Sequence, residues 1–435
     1  MNEIDNIMTP QLRIDIDHGT DKFRVTGATF VHKERISSIP GSRFVGKGSD
    51  YWTIPAAWPS LRLMVRYFGD NLVWDPEVAA WANNMWSNVI EPSLKLRNEG
   101  ADPAWVEAII PLCPAERKPR DYQVAGAIFL ATAKRAILLD EQGTGKMTQT
   151  AMALSLYPDT LPALIIAPKG TIYTWQNELA LFGIKSLVID GSDPAAKRRT
   201  AFENYDPVAV PVIVTTYSMV SKHSRVTGYG SIKLSETDKQ HKELNQISWA
   251  TVVADEAHRI KDPHATQTRA CWAVSEHAPY RWATTGTPTE KNVMDFWSVL
   301  HFVDPAEWPS STKFMDLWVM SYTNHFGGLE IVGLRQDTVQ EYYDLTDWHW
   351  RRVLKGDDLP PREYLDVYCI LGAKEHKIYK DMHKQLMADI GGIGSIDVLF
   401  AENHMVKAGR CMQAANATLE FDENDNVRID RKSVV

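Results

Sequence analysis

Between about residues 116 and 310 the chain alternates short, unbroken apolar runs with stretches whose apolar residues recur at three- and four-residue spacing. The runs are Ala136–Leu139, Leu164–Ala167, Leu187–Ile189, Val212–Thr215, Thr251–Ala254 and Arg281–Thr284. Strands that are apolar throughout and separated by helices predict a parallel sheet covered on both faces. Ligands of such sheets bind at the carboxyl ends of the strands, and the polar clusters of this region lie at those ends. Residues 1–115 read differently. Alternating runs at Lys22–Thr26 and Tyr51–Pro55, punctuated by Gly and Pro, predict a few small strands. Helical patterns follow over Trp58–Phe68 and from Pro76 to about Leu96, and Pro111–Pro119 reads as a linker. Beyond residue 310, helices are expected over Lys374–Asp389 and Asp397–Ala415, with a hairpin or turn at Phe421–Ile429. The expected division is therefore 1–115, a small α+β accessory domain; 116–310, an α/β lobe; and 311–435, a linker and part of a further lobe.

Composition narrows this picture without redirecting it. At 435 residues the chain has room for two or three domains. No apolar run reaches membrane-spanning length, and the acidic start MNEIDNIMTPQLRIDIDHG lacks the apolar core of a signal peptide. Cys113, Cys271, Cys369 and Cys411 are far apart and form no CxxC pair, so neither zinc nor a disulfide framework is expected. A reducing, cytoplasmic setting without a membrane partner fits these features. The net charge of −8 argues against a uniformly basic surface and leaves room for a local basic groove.

The chemistry concentrates first at Ala136–Thr150, AILLDEQGTGKMTQT. An apolar strand ends in Asp140-Glu141. Gln142-Gly143-Thr144-Gly145-Lys146 follows, and then a helix-like run, Thr148–Leu156. Glycines let a tight turn aim its backbone N–H groups at phosphate oxygens. The helix N-terminus adds partial positive charge, and Lys146 can reach the β- and γ-phosphates. An ordinary βα turn with a chance Gly-x-Gly-Lys is the plainer alternative. The stretch departs from the Walker pattern twice: Asp140 holds the place of the leading glycine, and Met147 that of the Ser/Thr whose hydroxyl ligates Mg²⁺. A thioether is a poor ligand for a hard cation. Thr148, one residue on, is the candidate substitute.

The second cluster is Val253-Ala254-Asp255-Glu256-Ala257-His258. Two adjacent carboxylates at the end of an apolar strand repel unless a cation or a proton-transfer task accounts for them. Mg²⁺ accounts for Asp255, and activation of water for attack on a γ-phosphate accounts for Glu256.

Together these stretches resemble the superfamily 2 helicases, most closely the SWI/SNF-type branch with its DEAH box, as found in phage or bacterial proteins. Further matches follow in order. Arg120-Asp121-Tyr122-Gln123 resembles the Q motif, whose glutamine reads the adenine edge. Ala167-Pro168-Lys169, with Trp175 and Glu178, resembles motif Ia. Thr215-Thr216-Tyr217 resembles the Ib region. Thr284-Thr285-Gly286-Thr287-Pro288, with Asn292, resembles motif III, and Phe296–Pro305 the helix after it. The resemblance implies a P-loop, RecA-like lobe that binds ATP and Mg²⁺. In it Lys146, Asp255 and Glu256 are catalytic, and Arg120, Tyr122, Gln123 and Gln142–Thr148 hold the nucleotide. Pro168, Lys169, Thr215, Thr216 and Tyr217 would hold a DNA backbone, single- or double-stranded, without reading sequence. His258, Thr285, Gly286 and Thr287 would couple the two sites.

A shorter resemblance links Ile39-Pro-Gly-Ser-Arg43-Phe44, Tyr51–Pro55, Leu61 and Phe68-Gly69 to the accessory module of annealing-helicase-like ATPases. Arg43, Lys47 and aromatic faces are its candidate DNA contacts, and a structural cap is the alternative. The polar insertion Ser221–Asn245 reads as a solvated loop, and Lys197-Arg198-Arg199 as a charged helix face. Arg351-Arg352 to Lys355, Leu359-Pro360-Pro361, Tyr364–Leu371 and Met412–Asn416 resemble the passage into a second RecA-like lobe. Motifs IV, V and VI, and with them the arginine finger, are not found in the residues that remain, so the second lobe is expected to be incomplete. Two readings stand: a DNA-dependent ATPase of SWI/SNF type, in the cytoplasm (of the host, if viral), or a hydrolysis-defective nucleotide- or DNA-binding module. A P-loop metabolic kinase does not account for the DEAH and Thr-Gly-Thr-Pro runs.

Overall fold

A computed structural model describes residues 11–354 apart from 21, 47–49, 290–291 and 326. Beyond these it describes the segments 373–385, 387–389, 398–400, 419–421 and 427–429. The chain forms two compact units, Met1–Asp358 and Leu359–Val435.

The first unit opens with strands β1 (Leu12–Asp17), β2 (Lys22–Gly27), β3 (Arg43–Val45), β4 (Tyr51–Pro55) and β5 (Leu72–Trp74). They form one sheet in the order β3-β4-β2-β1-β5. Alternation puts Leu12, Ile14, Phe23 and Val25 on its buried face, where the helix Trp58–Phe68 covers them with Leu61, Met64 and Phe68. The expected single helix from Pro76 to Leu96 is three pieces. Pro76–Met85 and Glu91–Asn98 are α-helical, and Trp86–Ile90 between them is a π-turn. Pro92, which has no N–H to give the turn before it, accounts for the wider winding.

Next come β6 (Arg135–Leu138), β7 (Ala163–Ala167), β8 (Ser186–Ile189), β9 (Val212–Thr216), β10 (Thr251–Asp255), β11 (Tyr280–Thr284) and, after the two-stranded β12 (Val319–Thr323) and β13 (Leu329–Leu334), β14 (Trp350–Arg351). The large sheet is parallel throughout, in the order β14-β6-β11-β10-β7-β9-β8. Its two faces bury alternate residues. Ala136, Leu138, Ile165, Val214, Val253 and Trp282 meet the helices Asp121–Ala133, Lys146–Leu156 and Ile172–Leu181. Ile137, Ile166, Ile213, Val252 and Ala283 meet Tyr217–His223, Thr266–Ser275 and Met294–Val303. This is the parallel α/β sheet covered on both faces that the apolar runs predict, and the RecA-like lobe that the resemblance implies, with a small α+β domain ahead of it.

Three further expectations change. The break at residue 310 is absent: Phe314, Trp318, Tyr342 and Leu345 share the core of Trp297 and Leu300, and β14 joins the large sheet, so the first unit runs to Asp358. The insertion 221–245 is no free loop. Val226 and Leu244 are buried in the same core, Asn245 accepts a hydrogen bond from the Arg225 amide at 2.6 Å, and Arg225 pairs with Glu276. In the second unit the helix is Ala373–Gln385, and Met387–Asp389 pairs antiparallel with Val398–Phe400. Strands thus stand where Lys374–Asp389 ends and Asp397–Ala415 begins. The expected hairpin is present as Leu419–Phe421 against Val427–Ile429. The readings at Lys47, Lys355, Leu359–Pro361, Tyr364–Leu371 and Met412–Asn416 lie outside the described residues.

Candidate active site

The loop after β6 takes its shape from two glycines in the left-handed region, Gly143 at φ 84° and Gly145 at φ 82°. Gly145 leads into the helix that begins at Lys146, so strand, loop and helix stand as the sequence predicts. The buried Lys146 ammonium donates to the carbonyls of Asp140 at 2.8 Å and Glu141 at 3.1 Å, inside the turn. Burial depresses its pKa, and the carboxylates of Glu256, Asp140 and Asp255 oppose that shift. The loop is braced from the helix Asp121–Ala133. Tyr122 Oη and Gln123 Nε2 both donate to the Thr144 carbonyl, at 3.1 and 2.9 Å. Gln123 Oε1 accepts from the Arg120 amide at 3.0 Å. The glutamine expected to face adenine thus holds the loop, and one donor and one acceptor position of its amide remain open. The Arg120 side chain is exposed.

β10 carries Asp255 to the same end of the sheet. Its Oδ1 accepts from Thr284 Oγ1 at 2.7 Å and from the Glu256 amide at 3.1 Å, and its Oδ2 accepts from Trp175 Nε1 at 2.8 Å. Thr284 ends β11 directly beside Asp255 in the parallel register, and Trp175 reaches it from the helix after β7. Glu256 follows in the left-handed region at φ 53°, a conformation that costs a non-glycine residue about 1–2 kcal/mol. It turns a partly exposed carboxylate back to within 3.3 Å of His258 Nδ1. The same imidazole nitrogen lies 3.2 Å from Thr285 Oγ1 and 3.4 Å from Thr287 Oγ1. Gly286 approaches so closely that an added Cβ would stand 3.2 Å from Gln142 Cγ. His258, Thr285, Gly286 and Thr287 are therefore together against the glycine loop. Thr284, which no expectation singled out for a role, is the threonine that holds Asp255.

At the metal position, Met147 packs against the apolar cluster on its face of the sheet. Thr148 Oγ1 donates to Glu178 Oε1 at 2.5 Å, and Glu178 in turn pairs with Arg117 at 2.7 Å. The Thr148 hydroxyl is thus engaged in the core. Among the described residues no cluster of three or more His, Cys, Asp or Glu side chains forms a metal site. The donors present nevertheless fit Mg²⁺ as a nucleotide's partner, because that ion needs only one or two carboxylates when phosphates supply the rest. Asp255, with a lone-pair position to spare beyond its three hydrogen bonds, is a residue that could hold it.

The expected nucleic-acid residues divide. Pro168 is partly exposed and Lys169 exposed, at the end of β7. Thr215, Thr216 and Tyr217 are buried, so their side chains cannot line a binding surface. Thr215 Oγ1 donates to the Ile189 carbonyl at 2.7 Å, Thr216 caps the helix Tyr217–His223, and Tyr217 Oη donates to the Asp255 carbonyl at 2.6 Å. The helix that follows β9 folds over this strand end and takes these hydroxyls inward. Tyr217 thereby belongs to the support of β10.

Asp140 has a role that its sequence position did not disclose. The fully buried carboxylate accepts from Gln149 Nε2 at 2.9 Å and the Val353 amide at 2.8 Å, and lies 3.8 Å from Arg351. Leu139 and Glu141 donate backbone bonds to Arg351 and Val353, at 2.7 and 3.0 Å. The strand that leads away from this unit is therefore stitched along the glycine loop. A carboxylate closing an apolar strand was the available signal, since a buried acid requires partners.

Residues 77–422 match the family model of the SNF2-related domain. The chain is 26% identical over 339 residues to Protein CHROMATIN REMODELING 5 of Arabidopsis thaliana, covering 72% of this chain and 18% of that protein. It is 26% identical over 290 residues to the SWI/SNF chromatin-remodeling complex subunit snf22 of Schizosaccharomyces pombe, covering 63% and 16%. The chain spans about a fifth of the length of the curated relatives it matches. Among solved structures, the Sulfolobus solfataricus SWI2/SNF2 ATPase core in complex with dsDNA aligns at a TM-score of 0.43 and 24% identity, over 61% of this chain and 52% of that one.

Proposed function

The chain belongs to the SNF2-related domain family, and from that premise we propose that it is an ATPase core that binds ATP with Mg²⁺ at the glycine loop and acts on DNA through the backbone. The observation that carries the reading is the convergence of Lys146, Asp255 and Glu256 at one end of the sheet, with each carboxylate already oriented. In this reading the loop amides and the Lys146 ammonium bind the phosphates, and Lys146 exchanges its bonds to the Asp140 and Glu141 carbonyls for phosphate oxygens. Bound Mg²⁺ would neutralise charge on those oxygens. Asp255, fixed by Trp175 and Thr284, would hold the metal. Glu256, aimed by its left-handed backbone, takes the proton of the attacking water, with His258 beside it. His258, Thr285 and Thr287 would pass the state of the site on to the DNA-facing surface, where Pro168 and Lys169 offer the exposed contacts at a strand end. DNA is engaged without sequence preference, single- or double-stranded, because backbone and ammonium groups meet phosphates and not bases.

Glu256→Gln tests the assignment. It should leave ATP affinity nearly unchanged and abolish turnover, because a water-activating carboxylate acts in the transition state. Lys146→Ala should instead weaken ATP binding itself. A Glu256→Gln chain that hydrolyses ATP at the parent rate rejects the reading.

A second reading is a module that binds nucleotide or DNA and hydrolyses poorly. The packing of Met147 in the core and the commitment of the Thr148 hydroxyl to Glu178 favour it. Loss of one preorganised contact costs roughly 3 kcal/mol, about a hundredfold in rate. ATP turnover with and without DNA separates the two: stimulation by DNA supports the first, and ATP binding without turnover the second.

A further inference from the structure

A cleft of about 650 Å³ lies between the accessory sheet and the α/β lobe, away from the nucleotide loop. Lys22 and Arg43 enter it from the accessory side, and Lys313 from the segment after the helix Met294–Val303. Lys22 pairs across β4 with Pro55 and Arg43 with Thr53, so both stand on the outer face of that sheet. No carboxylate and no aromatic ring lines the cleft among the described residues, although the chain as a whole carries a net charge of −8. Arg24, a neighbour on the same face, is tied to Asp15 at 2.7 Å. Lys22, Arg43 and Lys313 have no such ion pair among the described residues.

A helix end adds to this positive lining. Ser310 lines it and caps the helix Ser311–Trp318 through the Lys313 amide at 3.3 Å, which sets the positive end of that helix at the cleft. The floor is rigid. Gly41, at φ 76°, brings the accessory backbone against the lobe: an added Cβ would stand 3.0 Å from Pro309, and 2.7 Å from Pro55 within the accessory sheet. Cations from both walls thus line one cleft, with Asp17 opposite Lys22 in the β1–β2 register the acid nearest to it in that pairing, and a lining of this sign attracts anions.

We propose that this cleft binds the phosphodiester backbone of a nucleic acid, at a place separate from the motor's own DNA-facing surface. The chemistry favours a backbone over a base: ammonium, guanidinium, hydroxyl and helix N-terminus hold phosphates, and no aromatic face or carboxylate is present to stack on or read a base. The opening between two domains suits an extended polyanion, because its cations come from both walls. The proposal rests on the reading of the chain as a DNA-acting ATPase and adds a site that makes the accessory domain and the lobe grip one strand. Of the accessory contacts expected from the sequence it keeps Arg43 and recruits Lys22 and Lys313.

The test uses the whole chain and a labelled DNA duplex titrated over a range of salt. The triple variant Lys22→Gln, Arg43→Gln, Lys313→Gln should lower the log–log salt slope by about 0.9 for each phosphate that is no longer neutralised. ATP affinity should stay at the parent value, and the variant with Lys22→Arg and Lys313→Arg should keep the parent slope. Lysine acetylation provides a second readout that needs no variant: duplex should protect Lys22 and Lys313. An unchanged slope in a triple variant that still binds ATP overturns the cleft and leaves the ATPase reading standing. Protection of the two lysines by inorganic phosphate but not by duplex overturns it in favour of a small-anion site. A parent chain that binds no duplex at all overturns both.

Discussion

The carboxylate of Asp140 accepts the backbone N–H of Val353 at 2.8 Å, joining positions 213 residues apart. Through this bond, and through Gln149 and Arg351 on the other oxygen, the glycine loop is fastened to the strand by which the chain leaves the first unit. Burial raises the Asp140 pKa, against the pull of Arg351 and the Gln149 bond, so the site depends on those partners staying in place.

Asp140→Ala should therefore destabilise the first unit severely. It strands Arg351, itself buried, and removing one partner of a buried pair costs roughly 3–5 kcal/mol. Asp140→Asn keeps an acceptor for Val353 and should cost less. Urea denaturation midpoints check the order. Equal stability of parent and Asp140→Ala would rule out a structural role for the latch.

Gly126→Ala should act on the same latch from behind. A Cβ there would lie 1.7 Å from Gln149 Oε1 and 3.2 Å from Arg351 Nη1. The Gln149 side chain has to move and release Asp140, at an overpacking cost of about 1–3 kcal/mol. Alanine is ordinarily the better helix former, so a Gly126→Ala chain at least as stable as the parent would contradict this packing.

Met147→Thr should trade packing for ligation. The methionine is partly buried against the apolar cluster, so the variant should lose about 1 kcal/mol of stability. A hydroxyl at this position should raise Mg²⁺-dependent ATP affinity. Thr148→Val should lower stability by freeing Glu178 and leave metal dependence unchanged. Collapse of Mg²⁺-ATP binding in Thr148→Val, with none gained in Met147→Thr, would instead make Thr148 the ligand.

Two histidines, His301 partly and His349 fully buried, set opposite limits on stability with pH. Burial, above all, pulls His301 down to about 4; it also bonds the Trp308 carbonyl at 2.7 Å. A base depressed in the folded state takes up its proton first when unfolded. Stability should therefore fall as pH drops from about 6.5 to 4, by up to about 1.4 kcal/mol per pH unit. His349 is opposite in sign. Burial lowers it, but Glu307, 2.5 Å from its Nε2, outweighs burial and raises it. Its contribution is complete below the ordinary histidine value and is lost as pH rises through the raised one. Denaturation midpoints across pH should flatten on the acid side in His301→Gln and on the alkaline side in His349→Gln. Unaltered profiles in both would refute the assignment.

The sequence by itself determined the elements that depend on short-range physics. Unbroken apolar runs marked the strands from β6 to β11 to within about two residues, because a strand buried on both faces admits little else. Gly143 and Gly145 announced a turn of left-handed residues, and the position of Asp255 at a strand end placed it beside the loop's end of the sheet. The tertiary structure alone decided which side chain serves which. The strand order sets β10 between β11 and β7, which is why Thr284 and Trp175, from separate segments, meet on Asp255. The same order puts β14 beside β6 and makes Asp140 a latch. The Ib threonines looked like surface hydroxyls because they end a strand in sequence. The helix after β9 buries them, and a pattern of residue types carries no record of which end another segment covers.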